Sequence, residues 1–388
     1  MLALALAALT VGIGDQQPAA FADPRMRSLG LKAARMIVPY DAATSEPDKV
    51  AAWLAATRAA GLEPHIAFQH LSSDRCPSAP CTLPSRATYR ANVAAFIARF
   101  PQVRTYSTWN EANHVSQPTA TRPEAVAGYY QELKAACASC TVVAGDVLDS
   151  GSYVNWLRRF QAVTSADLWG LHNYADVTYG TTSGTDAVLA NTTGTLWVEE
   201  TGGIVVRRDA AARVLLAHDE ARAARAVTAA FTLASTRPRI TRLYVYQWQT
   251  SATAQFDAGL IRPDGSARPS YAALAAAMPK TGATASPGVT WKASWSKGRL
   301  ILRGTCSLKP CAGTVKASLR AGGKTIRRYG ARQYGTTVKI RVSKTVLTKL
   351  RRASVRRVSL TVRSSTPVKA SQTVVLKLPQ PTLRDLRA

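Results

Sequence analysis

Eight strand-like runs alternate with helical segments between residues 10 and 278, and this alternation constrains the fold more than any other feature of the chain. Apolar, β-branched runs of five to seven residues predict strands at 10–14, 34–39, 64–69, 105–109, 141–145, 168–172, 195–199 and 242–248. Apolar residues at helical spacing predict helices between them, at 47–60, 89–100, 123–136, 153–162, 220–235 and 270–278. Strands that alternate with helices form a parallel sheet, and eight such repeats predict a (β/α)8 barrel over residues 10–280.

An open, doubly wound sheet is the alternative arrangement for such a pattern. That fold usually carries a glycine-rich phosphate loop after its first strand. The segment 11–15, Val-Gly-Ile-Gly-Asp, does not supply one. The barrel is therefore the fold that the sequence favours.

The positive charge of the chain is concentrated in its last part. Residues 281–388 contain 24 Lys and Arg and a single acid, Asp385, and so carry +23 of the net charge of +27. Residues 279–288 have the composition of a linker. Alternating runs beyond it predict a basic β-sandwich accessory domain over 281–388. Those runs lie at 299–303, 314–320, 337–342, 357–362 and 372–378.

A segment with this much positive charge is expected to bind an anionic partner by electrostatic attraction, which salt weakens. We expect an anionic cell-wall polymer or an acidic polysaccharide, and no nucleic acid, because the chain has an exported character. The alternative is a cationic domain that only increases solubility. The doublets of arginine in this region define no specific site.

The six cysteines fall into three close pairs, which are Cys76 with Cys81, Cys137 with Cys140, and Cys306 with Cys311. Local pairs predict disulfide bonds formed in an oxidising compartment. The alternative for the second pair is half of a zinc site or a redox dithiol, but no second motif accompanies it. None of the five histidines has ligand spacing, so we expect neither a metal nor a cofactor.

The first nine residues, Met-Leu-Ala-Leu-Ala-Leu-Ala-Ala-Leu, resemble the apolar core of a secretion signal. They lack a basic leader and are too short to span a bilayer. We interpret residues 1–9 as the remnant of a signal peptide, the alternative being an apolar first turn or strand of the barrel. The protein is thus predicted to be secreted or associated with the cell wall, with no membrane span.

Two strand-like runs end in a carboxylate, Glu111 after the fourth strand and Glu200 after the seventh. A carboxylate at the end of a buried strand is costly unless it is paired, hydrogen-bonded or used. The active sites of these barrels lie at the carboxyl ends of the strands. Two glutamates there provide the general acid and the nucleophile that retaining glycoside hydrolysis requires.

The arrangement resembles the clan A retaining glycoside hydrolases and is closest in style to families 39 and 5. An Asn-Glu pair closes strand four and a second glutamate closes strand seven. Arg35 lies where these enzymes commonly carry an arginine, and His172-Asn173-Tyr174 is similar to their His-x-Tyr element. Trp248 lies where a sugar-stacking tryptophan is usual. The resemblance covers residues 10–278 and none of the C-terminal domain.

The resemblance implies that Glu111 is the general acid/base and that Glu200 is the nucleophile. It implies that Asn110 binds the sugar 2-hydroxyl and that Tyr174 donates a hydrogen bond to Glu200. Arg35, His172 and Trp248 are then further substrate-site residues. The two carboxyl groups are expected about 5–5.5 Å apart, and a negative Glu200 is expected to raise the pKa of Glu111.

Two assignments have alternatives. Strand seven ends in Glu199 and Glu200, and neighbours on a strand face opposite ways, so we expect only one to point into the barrel mouth. The motif register favours Glu200. His70, which ends strand three, is either a substrate contact or an interior histidine. The sequence thus predicts a retaining glycosidase for a β-linked carbohydrate, and the alternative is an inactive barrel that binds carbohydrate or cell wall.

Overall fold

The computed structural model describes residues 9–150 and 153–278 with their side chains, and the backbone of seven strands between 289 and 377. The chain divides into two compact units, Met1–Met278 and Pro279–Ala388. Residues 1–8, which make up most of the predicted signal remnant, lie outside the described residues. No helix of the described part is long and apolar enough to cross a membrane.

Nine parallel strands form the central sheet of the first unit. They are β1 Thr10–Gly14, β2 Ala33–Pro39, β3 Glu63–Gln69, β4 Thr105–Ser107, β5 Thr141–Val143, β6 Asp146–Leu148, β7 Leu168–His172, β8 Thr195–Thr201 and β11 Ile240–Tyr246. Their order is β5-β4-β3-β2-β1-β11-β8-β7-β6. Because β5 and β6 are consecutive pieces of one stretch, the sheet is a nearly closed barrel with eight positions. The predicted parallel barrel is confirmed in this form.

Helices connect the strands and surround the barrel. They are α1 Pro24–Ser28, α2 Ala42–Ser45, α3 Pro47–Ala59, α4 Arg86–Arg99, α5 Pro123–Ala136, α6 Tyr153–Gln161, α7 Tyr174–Tyr179, α8 Ser183–Asn191, α9 Glu220–Thr236 and α10 Pro269–Ala277. Ser85 and Asp219 cap α4 and α9 with side-chain oxygens that accept backbone N–H bonds. A small antiparallel sheet of β9 Val206–Arg208, β10 Val214–Leu216 and β12 Phe256–Asp257 is an addition that the sequence did not predict.

The interior of the barrel is polar, whereas the layer between strands and helices is apolar. Trp53, Phe96 and Trp109 are among the fully buried side chains of the apolar layer. The polar side chains that are at most 1% exposed include Arg35, His65, Ser107, Asp146 and Glu199. Burial of so many ionisable groups is costly unless they are paired, and this indicates a functional interior.

The seven strands of the second unit form two antiparallel sheets. They are β13 Val289–Ser296, β14 Arg299–Cys306, β15 Gly313–Ala321, β16 Lys324–Tyr334, β17 Thr337–Val342, β18 Arg357–Ser364 and β19 Ala370–Lys377. The sheet orders are β13-β14-β17 and β16-β15-β18-β19. This unit is therefore built from β-strands, and the packing of its sheets into a sandwich stays a prediction.

Two of the three predicted disulfide bonds are formed. Cys76 is bonded to Cys81, and Cys137 is bonded to Cys140. The alternative of a zinc or dithiol role for the second pair is therefore not favoured. The third predicted bond, between Cys306 and Cys311, lies outside the residues whose side chains are described.

Candidate active site

The loop after β4 carries Asn110 and Glu111 into the barrel mouth. The Asn110 N–H donates to the Phe68 carbonyl of β3 at 2.7 Å, and the Ala112 N–H donates to the Asp146 carbonyl of β6 at 2.9 Å. Glu111 itself has a φ of 45°, in the left-handed region that L-residues rarely occupy. Backbone strain at such a position points to a functional constraint on the side chain.

A β-bulge in β8 places two consecutive glutamates inside the barrel. On one side Leu171 pairs with Val198 and His172 with Glu200, so that Glu199 is the extra residue of the ladder. A bulge suspends the alternation of side chains. Glu199 and Glu200 both reach Arg35, at 3.2 and 2.7 Å. The assumption that these neighbours face opposite ways is therefore wrong, but only Glu200 is accessible at the mouth, with 7% side-chain exposure against 0% for Glu199.

Glu111, His172 and Glu200 meet at the mouth of the barrel. Nδ1 of His172 lies 3.1 Å from Oε1 of Glu111 and 3.6 Å from Oε2 of Glu200. One carboxylate oxygen of Glu111 and one of Glu200 lie within 4.8 Å of each other. The Glu111 side chain is 22% exposed and that of Glu200 is 7% exposed, so both are accessible from the mouth.

Arg35 on β2 is the cation around which the carboxylates are arranged. It contacts Asp146 at 2.5 Å, in addition to Glu199 and Glu200, and its side chain is 1% exposed. Its Nη2 also donates to Oδ1 of Asn110 at 2.8 Å. This last bond orients the amide so that the NH₂ group of Asn110 is left for another acceptor.

His172 on β7 is surrounded by groups that favour its protonated form. Burial by itself lowers the pKa of His172, but the charges of Asp146 and Glu200 outweigh it, together with hydrogen bonds to Asp146 and Glu111. The pKa therefore lies well above its usual range. Nε2 faces the Asp146 carboxylate at 3.0 Å and Nδ1 faces Glu111, so each ring nitrogen has an acceptor for its proton.

The pKa values of the two mouth glutamates shift in opposite directions. Burial raises the pKa of Glu111, but the His172 hydrogen bond and the charges of His172, His114 and Arg35 outweigh it, so the net pKa is lowered. Burial raises the pKa of Glu200, and the charges of His172 and Arg35 offset only part of this. The predicted rise of the Glu111 pKa is therefore wrong for the free protein. That prediction considered the negative charge of Glu200 but not the positive charge of His172.

Glu199, the alternative to Glu200 in the sequence, has an interior role that the sequence did not predict. It is fully buried, accepts a hydrogen bond from Ser107 and lies 3.6 Å from Nε2 of His65. Burial and the neighbouring charge of Asp146 raise its pKa to about 7. Glu199 therefore binds Arg35 from below, where substrate does not reach.

Tyr174 begins α7, directly after the strand that carries His172. Its hydroxyl donates a hydrogen bond to Oε2 of Glu200 at 3.2 Å. With this contact the structure brings together six of the eight residues singled out in the sequence, namely Arg35, Asn110, Glu111, His172, Tyr174 and Glu200. The six form one hydrogen-bonded cluster at the carboxyl ends of the strands.

Comparisons with known proteins agree with this architecture. The chain is similar to a family 39 glycoside hydrolase from the gut symbiont Bacteroides cellulosilyticus WH2, with 15% identity and a TM-score of 0.50 over 86% of this chain and 79% of that one. A GH10 endoxylanase from a sugarcane soil metagenome matches at 10% identity and a TM-score of 0.50, over 70% and 97% of the two chains. GH5_18 from Streptomyces cattleya matches at 16% identity and a TM-score of 0.50, over 69% of this chain and 79% of that one.

The chain has the barrel fold of these glycoside hydrolases. No family model matches the sequence, and no curated protein matches it. Because the identities are low, the likeness is one of fold. The chemistry has to be argued from the site itself.

Trp248 does not have the position that the resemblance implied. Its ring is 2% exposed, contacts the Tyr271 ring at a centroid distance of 5.9 Å, and donates a hydrogen bond to Asp23 at 3.3 Å. A sugar cannot stack on a ring covered in this way, so the predicted platform is wrong. Tyr246, two residues earlier, ends β11 beside Gly14, where an added Cβ would lie 3.1 Å from the tyrosine ring.

Tyr246 is thus the aromatic residue that strand eight contributes to the mouth. Burial, followed by the charges of Glu200, Asp15 and Glu111, raises the pKa of its phenol. The sequence signal that could have identified it is the inward alternation of β11, on which Tyr244 and Tyr246 share a face.

His70 lies at the edge of the mouth and outside the cluster. It is half-buried, and its Nδ1 donates to the Leu71 carbonyl at 2.8 Å. A substrate contact and an interior role for His70 both stay predictions.

Three atoms of the cluster are close enough to hold a metal ion, one each from Glu111, His172 and Glu200. However, each ring nitrogen of His172 faces a carboxylate acceptor, and the pKa of His172 is raised. The same atoms also form a hydrogen-bonded acid pair, since Nδ1 of His172 lies 3.1 Å from Oε1 of Glu111. The absence of a metal stays a prediction.

Proposed function

We propose that this protein is a retaining glycoside hydrolase that cleaves O-glycosidic bonds of a β-linked oligo- or polysaccharide by double displacement. The observation that carries the proposal is the separation of Glu111 and Glu200, whose nearest oxygens lie within 4.8 Å. Retaining enzymes place their carboxyl groups about 5–5.5 Å apart, whereas inverting enzymes need about 6.5–9.5 Å to admit a water. The clan A fold supports the same mechanism.

In the first step Glu200 is the nucleophile and Glu111 is the general acid. A Glu200 oxygen forms a bond to C1 of the sugar while the bond from C1 to the leaving oxygen breaks. The proton of Glu111 passes to the leaving oxygen. Arg35 and Tyr174 hold the Glu200 carboxylate at 2.7 and 3.2 Å, and the NH₂ group of Asn110 is free to donate to the 2-hydroxyl.

His172 supplies the proton that Glu111 needs. In the free protein the pair holds one proton between Nδ1 of His172 and Oε1 of Glu111, 3.1 Å apart. Substrate covers the exposed part of Glu111, and removal of water raises the pKa of a carboxyl group. The proton then resides on Oε1. In the second step Glu111 takes a proton from water, which attacks C1 and releases Glu200 with the original configuration restored.

The alternative function, an inactive carbohydrate-binding barrel, required a displaced carboxylate or a blocked cleft. Glu111 and Glu200 both reach the mouth, with side-chain exposures of 22% and 7%, which supports an active pair. The alternative is therefore not favoured.

Hydrolysis of a panel of β-linked glycans, with NMR assignment of the first product anomer, tests the proposal. We expect at least one neutral β-glycan to be cleaved with the β-anomer released first. Release of the α-anomer first would contradict the double displacement.

Substitution of each glutamate tests the assigned roles. Glu200→Ala is expected to abolish turnover. Glu199→Ala is expected to retain turnover, because the nucleophile is still present. Glu111→Ala is expected to retain the first step on substrates with a good leaving group and to be accelerated by azide. Near-full activity of Glu200→Ala together with loss of activity in Glu199→Ala would show that the register is wrong by one residue.

We also propose that the protein is secreted or associated with the cell wall. The disulfide bonds Cys76–Cys81 and Cys137–Cys140 support an oxidising compartment. The basic segment 281–388 supports binding to an anionic wall polymer or an acidic polysaccharide.

A further inference from the structure

A pocket opens on the same edge of the barrel as the glutamate pair. It has a volume of about 600 Å³ and is lined by Gln16, Gln17, Gln247, Gln249, Thr250 and Ser251. The first two follow β1 and the next two follow β11, and these strands are neighbours in the sheet. Pockets of about 300–1,000 Å³ are typical of small-ligand sites.

Two of the four glutamine amides are held in fixed orientations. Oε1 of Gln16 accepts the Ile37 N–H at 3.2 Å, which leaves its NH₂ group free to donate. Nε2 of Gln249 donates to the Arg262 carbonyl at 2.7 Å, which leaves its Oε1 free to accept. The amides of Gln17 and Gln247 form no side-chain hydrogen bond within the described part of the chain. The pocket therefore offers donors and acceptors together, as the hydroxyl groups of a sugar require.

The pocket lining, all of it within the described residues, contains no ionisable side chain. A uronic acid or a sulfated sugar would lack a cation to pair with there. A charged sugar would therefore gain no ion pair from this lining, whereas a neutral sugar can use its amides and hydroxyls, so the lining favours a neutral sugar.

The position of the pocket relates it to the catalytic pair. In the sheet order β11 is four positions from β4, and thus lies across the eight-position barrel from the strand that precedes Glu111. Tyr246 ends β11 next to Gln247, and its phenol lies in the field of Glu200. The leaving group departs on the side of the acid/base. The pocket therefore lies across the barrel mouth from the acid/base, on the side away from the leaving group.

We propose that this glutamine pocket binds a second, neutral sugar residue on the glycone side of the cleaved bond. This inference rests on the proposed glycosidase function and deepens it, since it makes a disaccharide unit or longer the preferred glycone.

Matched 4-nitrophenyl β-glycosides test the pocket, because the leaving group and the chemistry stay constant. The pairs are glucoside with cellobioside and xyloside with xylobioside, and the readout is the ratio of kcat/KM for the disaccharide to that for the monosaccharide. We expect a ratio of at least 10 in the wild type and a fall of at least fivefold in each of Gln17→Ala and Gln247→Ala, because each loses a hydrogen bond to the outer sugar.

The control is Gln102→Ala, an exposed glutamine just before β4 and thus at the opposite edge of the barrel. Its ratio is expected to equal that of the wild type. Titration calorimetry with cellotriose and xylotriose measures binding independently of turnover, and both pocket variants are expected to bind at least fivefold more weakly.

The outcomes separate the two proposals. Hydrolysis with an unchanged ratio and unchanged binding in both pocket variants would overturn the glutamine subsite and leave the glycosidase intact. Binding that depends on Gln17 and Gln247 without hydrolysis of any glycoside would overturn the glycosidase and keep the pocket as a sugar site. If the protein shows neither binding nor hydrolysis, both proposals are overturned. A higher ratio for digalacturonoside over galacturonoside than for the neutral pairs would refute the assignment of a neutral sugar.

Discussion

Removal of the Arg35 charge is expected to destabilise the barrel in a pH-dependent way. Arg35 contacts three carboxylates at 2.5, 3.2 and 2.7 Å and its side chain is 1% exposed. Arg35→Met keeps much of the volume but leaves Asp146, Glu199 and Glu200 without their common cation. Breaking a buried ion pair in this way costs about 3–5 kcal/mol.

This cost corresponds to a large shift of the melting temperature. A change of 1 kcal/mol moves Tm by about 2–4 °C in a domain of comparable size, so the variant is expected to melt about 6–20 °C lower near pH 8. Without Arg35 the pKa values of Glu199 and Glu200 rise further above those of the unfolded chain. The variant then keeps this contribution to its stability in full at pH values below the unfolded-state pKa values. It loses the contribution as the pH rises through the folded-state pKa values.

Thermal unfolding followed by circular dichroism near pH 5 and near pH 8 measures both effects. We expect a small deficit at the lower pH, where the glutamates are protonated, and the full deficit at the higher pH. Arg159→Met is the matched control, because Arg159 and Glu124 form an exposed pair of 45% and 46% side-chain exposure. Such pairs contribute about 0–1 kcal/mol. An equal deficit of Arg35→Met at both pH values would refute the reasoning.

Three further predictions concern Glu200, Glu199 and the basic segment. Tyr174→Phe removes the hydrogen bond to Glu200, so kcat/KM is expected to fall about 10- to 100-fold while the far-UV spectrum and Tm stay near wild type; unchanged kinetics would exclude a role for the hydroxyl. Burial raises the pKa of Glu199 to about 7 from 4.5, so the stability of the wild type is expected to fall as the pH rises through 7. Glu199→Gln is expected to flatten the dependence of Tm on pH. A profile parallel to that of the wild type would contradict this. Deletion of 285–388 is expected to preserve hydrolysis of small glycosides and to remove binding to polygalacturonate, which in the full chain weakens as salt rises; salt-insensitive binding would show that the charge of +23 is incidental.

The fold could be predicted from local pattern because a (β/α)8 barrel repeats one simple unit. Each strand is a short apolar run and each helix has its own periodicity, so the alternation is visible without any tertiary contact. The positions of Glu111 and Glu200 followed from the same pattern, since carboxyl ends of parallel strands share one edge of a barrel. Strand boundaries were less accurate where tertiary contacts decide them, as at β4, which ends at Ser107.

The sequence by itself therefore determined the barrel, the two glutamates at its mouth, the two local disulfide bonds and the division of charge between the parts of the chain. Only the tertiary structure decided which side chains face inward and where the protons reside. A bulge in β8 turns Glu199 inward, and packing on Tyr271 removes Trp248 from the mouth and leaves Tyr246 there. His172 and Arg35 lower the pKa of Glu111. Each of these depends on residues far apart in the chain, and no local pattern of apolar and polar residues records their distances.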